Sequence, residues 1–365
     1  GGVWTAALLR PLEALYAVVS DAAQARAGRS RRPVPGLTVV AIGGLTVGGA
    51  GKTTLARWAA RTALAAGRRP AIVLRGYGAE EGSEEPRIVP PGAPEDPAAA
   101  RRYGDEAVAH RAALPAGVVV ATGRDRRCAA RMAQDSGADV VVLDDGWEQS
   151  TLAWDHLWVV VEARRPFGNG RRLPAGPLRR RIDNLCHASA IVEIDEAVDE
   201  GEPTITVAGW PTGALPPRIR FRRRVESWRR LSVAGGAAPP DAAASPPAGV
   251  PILLISSVGA PDRLERFLRG AGAPPSEHLA FPDHAPWDPA AIAEAAAAFR
   301  RRPGPPGVVV VTDKDAARAA RLAGLGLDIW VVHSEFAPIG DPALLLAALA
   351  RRPGRADVAA RPPIG

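Results

Sequence analysis

The chain of 365 residues has two cysteines, one methionine, two asparagines and two lysines, and aromatic residues make up 5% of it. Each shortage excludes something. Cys128 and Cys186 cannot build a disulfide framework and no CxxC pair marks a zinc site, so the chain reads as a reduced, cytosol-facing protein. With few aromatics and no recognised nucleic-acid motif, no nucleic-acid partner is expected, although the net charge is +7 and the pI about 10.3. No run of 18 uncharged apolar residues predicts a membrane span, and no signal-peptide pattern is read at the start. The 38 glycines and 36 prolines follow no short repeat, which excludes collagen and solenoid arrays. An apolar share of 47% and a charged share of 23% exclude wholesale disorder.

What is abundant is arginine, 44 of the 46 basic residues. A GC-rich genome produces that bias, so the two lysines carry more information than the forty-four arginines. Lys52 and Lys314 both sit inside candidate site motifs.

The length predicts about two domains. Val3, Trp4, Ala7, Leu8, Leu12, Leu15, Tyr16 and Val19 recur at helical spacing, interrupted by Arg10, Glu13 and Asp21. The stripe fits either a helix packed on its own domain or one lying in a bilayer interface, the second helped by Arg26, Arg29, Arg31 and Arg32. From residue 33 the pattern alternates buried strands with helices. The strands are Leu37–Ile42, Ala71–Leu74, Val118–Ala121, Val140–Leu143 and Leu157–Val161; the helices are Thr53–Ala66, Asp105–Ala113 and Arg124–Gln134. Such alternation predicts an α/β fold with a parallel sheet covered on both faces. Thr204–Val207 and Arg218–Arg222 are expected to form a two-stranded linker. Residues 234–249 read as a low-complexity loop. A second, smaller α/β series follows, with strands Ile252–Ser256, Val308–Thr312 and Ile329–His333 and a helix near Asp262–Arg269. The expected boundaries are 1–32 for the N-terminal amphipathic helix and basic segment, 33–203, 204–228 for the linker, and 229–365.

The strongest motif is Thr46-Val47-Gly48-Gly49-Ala50-Gly51-Lys52-Thr53, set between a strand and a helix. Glycines let backbone N–H groups face a phosphate, the helix N-terminus favours an anion, Lys52 supplies a cation, and the Thr53 hydroxyl suits Mg²⁺. Thr46 stands where the strict pattern has glycine. This P-loop predicts nucleoside triphosphate binding. Val140–Leu143 ends in Asp144-Asp145-Gly146, which puts one of the two carboxylates near the metal. Further strings are Arg75-Gly-Tyr-Gly78, Gly104-Asp-Glu106, Phe167-Gly-Asn-Gly170, Leu173-Pro-Ala-Gly-Pro-Leu178, Phe281-Pro-Asp-His284 and Thr312-Asp-Lys-Asp315. Singly each is a turn, and Asp105 would by default cap a helix.

Together and in this order the strings resemble the tetraacyldisaccharide 4′-kinases, the lipid A 4′-kinases of Gram-negative bacteria, from the first helix to about residue 320. The resemblance implies a P-loop domain, a smaller α/β domain and a two-stranded linker. It implies transfer of the ATP γ-phosphate to the 4′-hydroxyl of a tetraacyldisaccharide 1-phosphate, with Mg²⁺. It also implies a peripheral or monotopic protein on the cytoplasmic face of the inner membrane, here expected as a monomer. Lys52 and the loop amides at positions 46–53 would then hold the β- and γ-phosphates. Thr53 and Asp144 would hold Mg²⁺, with Asp145 beside them as the alternative ligand and, like Lys52, a catalytic residue. Asp105 paired with His284 would activate the sugar hydroxyl. Three positions depart from the family pattern: Gln149 replaces the histidine of DDGxQH, Arg180 replaces the glutamate of LPAGPLRE, and Asp313 replaces the glutamate of TEKDA, a conservative shortening. The rival is a ParA/MinD-like ATPase switch, which carries a lysine where this chain has Val47; a GTPase is disfavoured because no NKxD-type string is present.

Overall fold

The computed structural model describes residues 9–48, 51–79, 85–95, 98–195, 210, 214–231, 245–246, 248–282, 285, 287–316, 322 and 325–351. Gly49, Ala50, His284, residues 1–8 and the expected strand Thr204–Val207 lie outside them. So does most of the low-complexity segment.

The described chain forms two units, one comprising residues up to 195, 210–221 and 338–351, the other 222–337. The first opens with α1 (Arg10–Ser30). β1 (Thr38–Gly44) is buried at every position and leads through the glycine turn into α2 (Lys52–Ala65). Then follow β2 (Pro70–Leu74), β3 (Arg87–Ile88), α3 (Ala99–Tyr103), α4 (Asp105–Ala113), β4 (Val119–Thr122) and α5 (Arg126–Asp135). β5 (Val140–Leu143), β6 (His156–Glu162), β7 (Ala190–Asp195) and the first residues of β8 (Arg218–Leu231) complete the sheet. Its order is β8-β7-β6-β1-β5-β2-β4-β3. Neighbours from β7 to β4 run parallel, and only β3 is antiparallel to its partner β4. Continuous Val/Ile/Leu runs are what a sheet covered on both faces requires. In register, Ala41 lies between Leu143 and Leu157. The residues just past β5 therefore flank the turn that leaves β1.

The second unit contains β9 (Ile252–Ser256), α6 (Pro261–Gly270), β10 (Glu277–Ala280), α7 (Pro289–Arg300), β11 (Val308–Thr312) and most of β12 (Asp328–Ile339), with the rest of β8. Its strand order is β10-β9-β11-β12-β8, and β10, β9, β11 and β12 pair in parallel. Alternate residues of β9 and β11 feed two cores. Leu253, Ile255, Val309 and Val311 meet Ile292 and Phe299 of α7; Ile252, Leu254, Val308 and Val310 meet Phe267 and Leu268 of α6. Asp315 of the Thr312-Asp-Lys-Asp string is fully buried and ties two strand ends together. It accepts from Thr312 Oγ1 at 2.8 Å and from the Ser257 amide at 3.2 Å. Ser256, His278 and Glu265 line up as hydroxyl, imidazole and carboxylate, each step 2.8 Å. Ser256 has no exposed surface, so the row pins the edge strand β10.

Two expectations change. The smaller domain does not continue to the end of the chain: residues 338–351 belong to the first unit. There α8 (Ala343–Ala350) packs on α2 and β1 through buried Leu345, Ala348 and Leu349. Arg68 donates to the carbonyls of Leu349 and Arg351 at 2.8 and 2.7 Å, which satisfies the helix C-terminus with a buried cation. Arg218–Arg222, expected as a short linker strand, is the beginning of a strand of 14 residues.

The first helix is polar on the side that meets the protein. Glu13 accepts from the Arg172 amide at 2.8 Å, Tyr16 and Ser20 donate to the Arg179 carbonyl, Asp21 pairs with Arg172, and Gln24 accepts from Arg180. No residue of α1 is buried, and Leu12, Leu15, Val18 and Val19 are 53%, 61%, 70% and 60% exposed. Arg26 and Arg29 face solvent. Arg31, expected among the lipid-facing cations, instead turns inward. It lies 3.9 Å over the Trp154 ring and donates to the carbonyls of Trp147 and Gln149. Burial and then the charge of Arg180 lower its pKa to about 10, against the opposing charge of Glu148.

Candidate active site

Gly51 opens α2 with φ +94°, a left-handed conformation that glycine adopts at little cost, so Lys52 and Thr53 form the first turn. That turn contains no acidic residue to compete with an anion for the helix N-terminus. The loop before it is fastened from behind. The Val47 amide donates to the Pro177 carbonyl at 2.8 Å, the Arg179 amide donates to Leu45, and Thr46 bridges Leu178. The 173–178 string is thus the backing of the phosphate loop.

The two aspartates past β5 part company. Asp144 is buried and Asp145 is 43% exposed. Asp145 lies 2.9 Å from Lys52 Nζ and 3.4 Å from Arg179 Nη1. It is also the one non-glycine residue with positive φ, +49°, among those described, a conformation Asp tolerates better than most residues. Asp144 is engaged by His110 Nε2, 2.9 Å away, and by the Thr53 hydroxyl. Burial pushes the Asp144 carboxyl up, but the hydrogen bonds from His110 and Thr53 and the charge of Lys52 outweigh it and hold the group below its usual range. The carboxylate is therefore ionised at neutral pH.

Asp105 is the first residue of α4 and is half-buried. It does not cap the helix: the N-cap position is Gly104, with no side-chain cap. Gly104 has φ +91°, and a Cβ there would meet the Tyr77 carbonyl at 2.6 Å. That close approach joins the Arg75–Gly78 turn to the start of α4 and explains the glycine before Asp105.

Two residues at this site were not singled out from the sequence. His110 follows the buried Ala107, Val108 and Ala109 of α4, where nothing local announces a carboxylate partner. Arg126, the buried first residue of α5, is held at a pKa of about 10. Burial lowers it most, Arg75 lowers it too, and Asp145, Asp144 and Asp125 raise it. Its signal was the Gly123-Arg-Asp-Arg126 run at a strand-to-helix turn. The departures at 149 and 180 are accommodated locally. Gln149 Oε1 accepts from the amides of Thr151 and Leu152, both at 2.8 Å. Buried Arg180 pairs with Glu148 at 2.7 Å and stacks 4.4 Å over Trp147. Among the described residues no three His, Cys, Asp or Glu side chains cluster as a protein-only metal cage. Hydroxyl and carboxylate oxygens at Thr53 and Asp144 fit the hard donor set of Mg²⁺, which binds through one or two protein ligands plus nucleotide phosphates.

Comparison with known proteins shows which family and fold the chain shares. The family model described as Tetraacyldisaccharide-1-P 4'-kinase matches residues 5–352. A tetraacyldisaccharide 4'-kinase of Alkalilimnicola ehrlichii is 37% identical over 326 residues, covering 88% of this chain and 86% of its own. One of Methylobacterium sp. is 35% identical over 349 residues, covering 94% and 93%. The crystal structure of an "apo" form of LpxK from Aquifex aeolicus in complex with ATP superposes with a TM-score of 0.66 at 20% identity, covering 95% of this chain and all of that one.

Proposed function

This chain belongs to the tetraacyldisaccharide-1-P 4′-kinase family, and from that premise we propose how its residues divide the work. It is an ATP-dependent kinase that phosphorylates the 4′-hydroxyl of a tetraacyldisaccharide 1-phosphate in lipid A biosynthesis. The family match leaves the switch-ATPase reading without support.

One observation carries the assignment of the site: the helix opened by Gly51 presents Lys52 and Thr53 to the two carboxylates that end β5. Lys52 balances the charge of the β- and γ-phosphates, exchanging Asp145 for phosphate oxygens. Asp145 keeps the ammonium aimed at the loop until then. The amides of the 46–53 loop cradle the phosphates, except that of Val47, which donates to the Pro177 carbonyl. Thr53 and Asp144 hold Mg²⁺, which when bound neutralises charge on the transferring group. Asp105, with His284, takes the proton of the acceptor hydroxyl. Because phosphoryl transfer depends mostly on positioning and electrostatics, the fastening of the loop by residues 173–179 is part of the mechanism.

The enzyme works at a membrane surface, the cytoplasmic face of the inner membrane. Among the described residues no helix is long and apolar enough to cross a bilayer. α1 turns its polar side to the protein and its Leu and Val side chains outward, the opposite of a helix that serves a core. That orientation supports an interfacial helix beside the acylated substrate.

The test is incubation of the purified protein with γ-labelled ATP and a tetraacyldisaccharide 1-phosphate. A labelled bisphosphorylated lipid that requires Lys52 supports the reading; its absence overturns it.

A further inference from the structure

Helix α4 begins at Asp105 and carries, five residues on, a histidine with no exposed surface. A buried imidazole is unfavourable unless its polar atoms find partners. His110 Nε2 is 2.9 Å from Asp144 Oδ2, itself on a residue only 5% exposed. A carboxylate only accepts hydrogen bonds, so Nε2 carries the hydrogen and donates it. Asp144 is also engaged by the Thr53 hydroxyl from the first turn of α2. The neighbouring Asp145 has a different setting: it is partly exposed and paired with Lys52 and Arg179. Of the two carboxylates past β5, it is the buried one that α4 grips, while Asp145 meets Lys52 and Arg179.

We propose that His110 is a positioning residue whose Nε2–H fixes the Asp144 carboxylate in the orientation in which it and Thr53 together take the metal. The inference rests on the assignment of Mg²⁺ to Asp144 made above. An aspartate at a strand end has two side-chain torsions to settle, and a donor on one oxygen settles them before the metal arrives. Hydrogen bonds of this kind behind a ligating carboxylate tune affinity, and losing one costs about 10–100-fold in metal binding or activity. The same helix supplies Asp105 at its N-terminus, so His110 also joins the acceptor side of the site to the metal side.

The experiment reads metal binding directly. Mn²⁺ is titrated into full-length protein with a non-hydrolysable ATP analogue, and unbound Mn²⁺ is followed by electron paramagnetic resonance. Four variants are compared: His110→Leu, His110→Gln, His110→Asn and Asp144→Asn. His110→Leu fills the space without a donor and is expected to weaken Mn²⁺ about tenfold or more, leaving metal-free nucleotide binding unchanged. Gln places its amide near the Nε2 position and restores most of the affinity. Asn reaches only the Nδ1 position and does not, so the Gln–Asn pair decides the matter even if the leucine variant fails to fold. Equal Mn²⁺ affinities for Gln and Asn, or wild-type affinity for a folded leucine variant, overturn the proposal. Asp144→Asn separates the two levels. If it weakens Mn²⁺ while the His110 variants do not, only the role of His110 falls; if it leaves Mn²⁺ binding intact, the metal assignment falls and this inference with it.

Discussion

Replacing Leu12, Leu15, Val18 and Val19 together by glutamine tests whether the outward face of α1 is a membrane surface. Between half and three-quarters of each side chain is open to solvent. Full transfer of a Leu or Val side chain out of water is worth about 1.5–3 kcal/mol, so the exposed fractions of the four add to roughly 4 kcal/mol at the low end. At about 1.4 kcal/mol per tenfold, the quadruple variant should lose roughly three decades in partitioning to vesicles. Glutamine is a good helix former, and these positions contribute little to the core, so the thermal midpoint should hardly move. Arg26 and Arg29 should add about 1 kcal/mol each on anionic lipid, removable by salt, while Arg31 should add nothing because it is bound to Trp147, Gln149 and Trp154. The assay is co-sedimentation with anionic liposomes, run beside a circular-dichroism melt. A quadruple variant that sediments like wild type, or one that melts many degrees lower, would refute the reasoning, the second because it would mean the residues serve the fold.

Other outcomes follow from the same geometry. Lys52→Ala should fold normally and lose kcat by about 10²–10³ or more, the effect of removing a stabiliser of transition-state charge, and stopped assays on the purified variant check it. Gly104→Ala must strain a φ of +91° and push on the Tyr77 carbonyl; backbone strain of roughly 1–3 kcal/mol should appear as a lower melting temperature together with reduced kcat, because Asp105 moves with it. Burial, and then the charge of Arg351, lower the pKa of His156 below 6.5. The unfolded chain therefore binds the proton more readily, so stability should fall as pH drops below about 6.5, and His156→Gln should flatten that slope in melts taken at a series of pH values.

Much of the site was legible because its parts are consecutive in the chain. The run from β1 through Gly51 to Lys52 and Thr53 announces itself locally, and so do the carboxylates closing the apolar run 140–143. What stayed hidden was set by topology. That β1 lies directly beside β5, bringing Asp144 to Thr53, is a fact of strand order. His110 and Arg126 join the site only once α4 and α5 pack against that sheet. In α1 the periodicity gave a stripe but not its direction. The direction depends on Arg172, Arg179 and Arg180, which lie more than 150 positions away and claim the polar face. The return of α8 to the first unit depends likewise on Arg68, a residue with no local mark.

The most direct measurement is the position of the new phosphate. After reaction of the full-length protein with ATP, Mg²⁺ and a tetraacyldisaccharide 1-phosphate, the lipid product is taken for two-dimensional ³¹P–¹H nuclear magnetic resonance. The account predicts a second phosphorus signal coupled to the proton at carbon 4′, absent from the Lys52→Ala reaction. A phosphorus coupled to any other ring proton, or ATP consumed with the lipid unchanged, would contradict it.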